Sequence, residues 1–163
     1  MPVDLEIADG HARGSTTSVS VLVDTNVLVY RYDPRFPEKQ RVATDALRQG
    51  IADDELRLPH QAVVEFVAAV TRVRLADGQP LLPIDEALQE ADGLLQEFAV
   101  LYPDETVVRT ALRGAALYKL PWFDAYLWAY AEAYGLDEIL SEDFQHGRQY
   151  GSVRIRNPFL AAD

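Results

Sequence analysis

The chain has 163 residues with an ordinary globular composition, 48% hydrophobic and 25% charged, and its 26 acidic against 15 basic residues give a formal net charge of −11. This acidic balance argues against sequence-blind binding to nucleic-acid backbones, and the absence of cysteine excludes a disulfide scaffold, a thiolate metal site and a cysteine nucleophile. No apolar run approaches the roughly 18 residues that span a bilayer, and the N-terminus lacks a secretory pattern, so we expect a soluble, cytoplasmic protein.

Hydrophobic patterning and turn residues divide the chain into short strands and helices. Residues 1–17 are polar and show no lasting periodicity, which predicts a mobile extension outside the fold. The predicted elements that follow are a strand at 18–24, helices at 27–31 and 38–50 (the second ending at Gly50), a strand at 56–58, helices at 60–75 and 85–98, a strand at 99–102, a helix from Pro103-Asp104 to about Tyr118, a helix at 122–134 ending at Gly135, and strands at 138–141 and 153–155.

Strands that alternate with helices through short connections predict one α/β domain over residues 18–163. Helices would cover both faces of a mainly parallel sheet of four to five strands. No repeat, low-complexity stretch or long linker divides the chain. In the helix predicted at 85–98, the apolar stripe facing the sheet would consist of Leu88, Leu94, Leu95 and Phe98.

Asp24 is the first of four acids in unexpected positions. It ends the segment SVSVLVD, which is typical of a strand buried on both faces, so its carboxylate should project from the carboxyl edge of the sheet. Ligands bind at that edge in open α/β folds. The alternative is an N-cap for the helix beginning near Val27, and Asn26 likewise is either a cap or a polar partner of Asp24 and a ligand.

Asp143 follows the predicted strand EILS, and therefore lies at the same edge of the sheet as Asp24. Glu142 is adjacent and could take its place. We favour Asp143 because Ser141, two residues earlier, could orient its carboxylate by a hydrogen bond.

Glu65 and Asp124 are acids on predicted helices whose neighbours are apolar. Glu65 lies within AVVEFVAAV, which is apolar on every side and typical of a buried helix, where a glutamate needs a partner or a metal. The alternative is a buried salt bridge to an arginine. Asp124, in PWFDAYLWAYAEAY, shares a helix face with Leu127, Trp128 and Ala131; the alternative there is a favourable interaction with the helix macrodipole.

Four such acids in proximity would repel one another by several kcal/mol at an effective dielectric constant of ~20 unless a divalent cation neutralised them. Oxygen-only ligands favour Mg²⁺ or Mn²⁺, and the three histidines show no zinc-ligand spacing. The chemistry that fits is metal-assisted hydrolysis of a phosphodiester, in which the metal generates hydroxide and stabilises the leaving oxygen.

Four segments occur in the order seen in PIN-domain ribonucleases, and they resemble in particular the VapC-type toxins of bacterial toxin–antitoxin pairs. The segments are VLVDTNVLVY, the helix with the isolated Glu65 after Pro59, PWFDAYLWAYA, and ILSEDFQHG followed by VRIRNPF. The resemblance covers residues 20–159.

The resemblance implies a PIN-like three-layer α/β/α sandwich and a metal site built from Asp24, Glu65, Asp124 and Asp143. Asp24 and Asp124 would be the nearest ligands of Mg²⁺ or Mn²⁺, Glu65 and Asp143 would bind directly or through water, and Asn26 and Ser141 would support them. It also implies a single-stranded RNA substrate, a homodimer, and a small antitoxin whose tail occludes the acidic pocket.

Two other functions compete with a ribonuclease. A non-catalytic PIN-like module that binds RNA or protein is disfavoured because all four acids are present. A receiver or haloacid-dehalogenase-like phosphotransfer domain is disfavoured because neither lysine follows a strand, and because Asn26 stands where the phosphatases have a second aspartate.

The net charge does not exclude a nuclease, because two Mg²⁺ ions would offset four carboxylates where phosphate must approach. Of the 15 basic residues, 13 are arginines. We expect a basic rim around the acidic pocket from some of those in the first half of the chain, namely Arg31, Arg35, Arg41, Arg48, Arg72 and Arg74.

Overall fold

The structure, a computed structural model, describes residues 19–160; the extension predicted at 1–17 lies outside the described residues. In this range no helix is both long and apolar enough to cross a membrane. The elements are β1 (Val21–Val23), α1 (Thr25–Tyr30), α2 (Pro37–Ala52), β2 (Leu56–Pro59), α3 (His60–Arg72), α4 (Ile84–Glu97), β3 (Ala99–Leu101), α5 (Glu105–Tyr118), α6 (Trp122–Tyr134), β4 (Glu138–Leu140), β5 (Gln149–Tyr150) and β6 (Val153–Arg156).

The strands form one sheet in the order β3-β2-β1-β4-β6-β5, in which every neighbouring pair except β6 and β5 is parallel. The apolar strand β1 lies at the centre, with Val21 opposite Leu56 on one side and Glu138 on the other. The carboxyl ends of β1 and β4 are therefore adjacent, and the residues that follow the two strands lie at the same edge of the sheet.

Successive residues of β1 enter two separate cores. Val21 and Val23 pack in a cluster with residues of α1 to α4, such as Phe66. Leu22 packs in a second cluster with residues of α5 and α6, such as Trp128. Burial on both faces explains why β1 is continuously apolar, and the predicted three-layer α/β sandwich is confirmed.

The sheet has six strands among the described residues, whereas the sequence predicted four to five. The additional strand, β5, is two residues long and pairs antiparallel with β6 across a tight turn at Gly151, whose φ of 59° lies in the left-handed region. Two residues are too few to show a periodic pattern, so sequence patterning does not detect this strand.

Two local predictions are wrong. Helix α2 does not end at Gly50 but continues to Ala52, and Gly50 is buried where a Cβ would lie 2.4 Å from Leu56 Cγ. The glycine thus permits close packing of α2 on β2 rather than terminating the helix. Half of the predicted apolar stripe of α4 is wrong: Leu94 and Phe98 are buried, but Leu88 and Leu95 point to solvent, because Ala87 and Ala91 occupy the rest of the buried face.

Candidate metal centre

Asp24 lies where β1 ends and α1 begins, directly beside the end of β4. Its backbone N–H donates to Leu140 O at 3.0 Å, which continues the strand pairing by one residue. Its Oδ1 accepts from the backbone N–H of Thr25 at 2.6 Å, so Asp24 does cap α1. Its Oδ2 accepts from Ser141 Oγ at 2.6 Å and from Asn26 Nδ2 at 2.9 Å. The cap and the position at the sheet edge are therefore compatible, not alternatives.

Asp143 lies next to Asp24 and shares its polar partners. Asn26 Nδ2 donates to Asp143 Oδ2 at 3.1 Å, so a single amide connects the two carboxylates. The buried Ser141 acts differently from our expectation: its hydroxyl accepts the backbone N–H of Asp143 at 3.1 Å and donates to Asp24. Ser141 therefore positions the backbone of Asp143 and the carboxylate of Asp24.

Glu142, the alternative to Asp143, pairs with residues of α1 and α2 instead of with Asp24. It forms an ion pair with Lys39 of α2 and accepts a hydrogen bond from Tyr30 OH. The Lys39 ammonium lies 4.4 Å from the centroid of the Tyr30 ring, which adds a cation–π contact. Glu142 is thus a neutralised structural acid, and Asp143 is the acid left facing Asp24.

Glu65 projects from α3 toward the start of α1. Its carboxylate accepts from Thr25 Oγ1 at 2.9 Å and from Gln61 Nε2 at 2.7 Å. The expectation that α3 is buried on every side is wrong, because Val64 is 56% exposed and Glu65 itself is half-buried. No arginine pairs with Glu65 within residues 19–160, so the salt-bridge alternative finds no support there.

Asp124 lies in the first turn of α6, with Ala125, Leu127 and Trp128 buried around it. Its carboxylate accepts no hydrogen bond from the residues that the structure describes. Desolvation and then the nearby charge of Asp143 raise the pKa of Asp124 above its ordinary value. Any benefit from the helix macrodipole is opposed by this desolvation.

The electrostatic cost of the cluster is largest at Asp24. Burial first, and repulsion from Asp143 and Glu65, raise the pKa of Asp24 from 3.8 to about 7, although hydrogen bonds from Ser141 and Thr25 lower it. None of the four carboxylates forms an ion pair with Lys or Arg in the described part of the chain. The cluster therefore retains uncompensated negative charge.

The chemistry of this donor set fits a hard divalent cation, since all four side chains offer carboxylate oxygens without a competing cation. The arrangement is not preassembled: as placed within residues 19–160, no group of three or more His, Asp or Glu side chains could hold a metal ion. Hydrogen bonds to protein donors occupy oxygens of Asp24 and Glu65. Metal binding therefore requires side-chain reorientation toward a common point.

Sequence reasoning missed Thr25 and Gln61, which hold Glu65. The spacing of Gln61 four residues before Glu65 was the available signal, because such residues meet on one helix face. The basic rim is smaller than expected: Arg35 lines the cavity that also contains Thr25. Arg41 and Arg48 instead pair with acids of their own helix.

Comparison with known proteins gives a consistent result. A family model described as PIN domain matches residues 21–151. The chain is similar in structure to a toxin–antitoxin complex from Klebsiella pneumoniae, with 18% identity, a TM-score of 0.61, and coverage of 85% of this chain and 98% of that chain. It is also similar to FitAcB from Neisseria gonorrhoeae, with 22% identity, a TM-score of 0.61, and coverage of 85% and 98%.

A third similar structure is VapC20 from Mycobacterium tuberculosis, described as a sarcin–ricin-loop-cleaving toxin. It has 12% identity, a TM-score of 0.53, and coverage of 76% of this chain and 90% of that chain. At such identities these likenesses establish a common fold. Among proteins with curated descriptions, none matches the sequence.

Proposed function

Because the chain belongs to the PIN-domain family, we propose that it is a Mg²⁺- or Mn²⁺-dependent endoribonuclease that hydrolyses phosphodiester bonds of single-stranded RNA. The observation that supports the proposal is the electrostatic repulsion of Asp24 by Asp143 and Glu65, and of Asp124 by Asp143, since none of these acids has a basic partner among the described residues. Repulsion between these carboxylates lowers the stability of the folded protein, and a bound divalent cation would remove the repulsion and take part in phosphodiester hydrolysis.

When bound, the divalent cation would supply hydroxide at neutral pH and stabilise charge on the leaving oxygen. Asp24 and Asp124 would be its nearest ligands, while Glu65 and Asp143 would bind directly or through water. Around them, Ser141 orients the carboxylate of Asp24, and Asn26 fixes the spacing between Asp24 and Asp143.

Because the pKa of Asp24 is raised, protonation of its carboxyl group should compete with cation binding. With a pKa of about 7, a large fraction of Asp24 is protonated near neutral pH without metal. A cation favours the ionised carboxylate, so binding should release a proton from this side chain. Activity should therefore rise between about pH 6 and pH 8.

We also propose that the protein is the toxin of a toxin–antitoxin pair, acts in the cytoplasm as a homodimer, and is inhibited by a small antitoxin. The similarity to the toxin–antitoxin complex from Klebsiella pneumoniae supports an antitoxin partner. Large apolar side chains that remain exposed on α5 and α6, among them Leu112, Leu117 and Phe123, are the kind of surface that protein partners cover.

The decisive experiment compares the wild type with Asp24→Asn on mixed single-stranded RNAs, with Mn²⁺ and with EDTA. We expect Mn²⁺-dependent cleavage by the wild type and a loss of at least ~100-fold in Asp24→Asn, because even an outer-shell partner of a metal is worth 10–100-fold. Glu142→Gln is the matched control, since Glu142 is next to Asp143 in the sequence but its charge is already paired with Lys39.

Equal cleavage by the wild type and Asp24→Asn would contradict the catalytic assignment. RNA binding without any metal-dependent cleavage would instead identify a non-catalytic binding module. Activity that is lost equally in Asp24→Asn and Glu142→Gln would also contradict the assignment, because the loss would not depend on which acid is a proposed ligand.

A further inference from the structure

A cavity of about 310 Å³ opens beside the acid cluster, between α1, α3 and the turn that leads into α2. Its volume lies within the roughly 300–1,000 Å³ range of small-ligand pockets. Its lining is mixed apolar, aromatic and polar, and includes Thr25, Asn26, Tyr30, Asp33, Arg35 and Phe36.

The cavity and the acid cluster share two residues. Thr25 donates to Glu65, and Asn26 donates to both Asp24 and Asp143, yet both residues also line the cavity. A group bound in the cavity would therefore lie directly beside a phosphate that approaches the carboxylates. These hydrogen bonds distinguish it from the cavities around Arg31 and Arg109, whose lining residues make no hydrogen bond to an acid of the cluster.

Phe36 gives the cavity an aromatic surface, and Arg35 adds a guanidinium plane whose charge is paired with Asp33. Phe36 is 45% exposed, and Tyr30 holds it in an edge-to-face contact at 5.7 Å. The Arg35 guanidinium carbon lies 5.5 Å from the centroid of the Phe36 ring. Two bonds to the buried Asp33, at 2.8 and 2.6 Å, hold this guanidinium in place and lower the pKa of that carboxyl group.

Asn26 adds an unmet hydrogen-bonding group at the junction of the cavity and the cluster. Its Nδ2 faces Asp24 and Asp143, and its buried Oδ1 has no hydrogen-bond partner among the described residues. A buried acceptor without a donor is costly, so a small movement of Asn26 that lets a bound N–H group reach this oxygen would be favourable.

We propose that this cavity is the subsite for one unpaired nucleobase next to the scissile phosphodiester, with Phe36 as the stacking surface. Protein recognition of single-stranded RNA stacks bases on aromatic rings or guanidinium planes and pairs their edges with polar groups. An aliphatic peptide side chain would make no use of the guanidinium plane that Arg35 holds against the exposed ring of Phe36. The inference rests on the proposed function and assigns base selection to the turn before α2.

The first test measures affinity in a cleavage-deficient background, Asp24→Asn, with fluorescein-labelled single-stranded RNA pentamers and Mg²⁺. Adding Phe36→Ala should weaken binding by ~10-fold, the loss typical of removing one base stack, and Phe36→Trp should retain it. Tyr134→Ala is the matched control, because Tyr134 is also 45% exposed but lies at the far end of α6, and it should change affinity less than about twofold.

The second test moves one abasic nucleotide along the pentamer. In the Asp24→Asn background, one position should lose ~10-fold in affinity when its base is removed, and at that position Phe36→Ala should cause no further loss. In the cleavage-competent background, Phe36→Ala should flatten the base preference beside the cut while leaving metal dependence unchanged.

Additive losses from Phe36→Ala and every abasic position would overturn the proposal, as would equal losses in Phe36→Ala and Tyr134→Ala. Loss of binding to a co-purifying antitoxin, with unchanged RNA affinity, would assign the cavity to that protein instead. If the wild type cleaves no RNA but Phe36-dependent binding persists, the ribonuclease proposal fails, and the cavity remains only as a base-binding site with no link to a scissile bond. If RNA is neither cleaved nor bound, both fail.

Discussion

Two adjacent acids after β4 occupy opposite environments. Glu142 turns toward α2, where Lys39 and Tyr30 neutralise and hold it. Asp143 turns toward Asp24, where its neighbours are other carboxylates and the amide of Asn26. The first arrangement stabilises the fold, and the second opposes it. The difference separates an acid whose charge is compensated within the fold from one whose charge is left for the proposed metal, although the two have the same charge and consecutive positions.

The largest effect on cleavage should come from replacing each of these two acids separately by its amide. Asp143→Asn should lower Mn²⁺-dependent cleavage by ~100-fold or more, while Glu142→Gln should stay within about threefold of the wild type. Thermal or urea unfolding should show the reverse order, with Glu142→Gln destabilised by about 1 kcal/mol through its lost ion pair and Asp143→Asn unchanged or more stable. The contrast is wrong if one variant loses both activity and stability.

A smaller effect should follow metal addition. A cation that binds only the folded protein at ten times its Kd contributes about 1.4 kcal/mol, or roughly 3–6 °C in Tm for a chain of this size. Differential scanning fluorimetry in Mn²⁺ should show this rise in the wild type and in Glu142→Gln, but not in Asp24→Asn. An equal rise in all three proteins would indicate binding outside the cluster.

A third effect concerns the pH dependence of stability. The folded pKa of Asp24, about 7, lies above its ordinary 3.8, so between these values the folded protein binds a proton that the unfolded chain has released. Without metal, the free energy of unfolding should therefore fall as pH rises from about 4 to about 7, and Asp124 acts in the same direction.

Urea unfolding in EDTA at pH 5 and pH 7.5 measures this difference, which Asp24→Asn should reduce. Asp33 and Asp137 have lowered pKa values, so their contribution is lost only as pH falls below about 4 and does not offset the trend in this range. Greater stability of the wild type at pH 7.5 than at pH 5 would contradict the electrostatic account.

Local patterns were sufficient for most of the helices and strands. An element buried on one face has periodically spaced apolar residues, and a strand buried on both faces, such as β1, has a continuous apolar run. The six-residue helix α1 and the apolar β1 are examples. They were insufficient for β5, which is too short to show a period. They were also insufficient for α3, where an apolar composition indicated full burial but Val64 faces solvent.

The sequence by itself determined the α/β order, the central apolar strand, and the presence of acids after β1 and β4, since these follow from local periodicity and the geometry of parallel strands. Only the tertiary structure decided which acid of the pair Glu142 and Asp143 is neutralised. That choice depends on Lys39, more than one hundred residues away along the chain. The net charge of −11 is therefore a poor guide to the site, because the proposed function depends on which carboxylates lack an ion-pair partner.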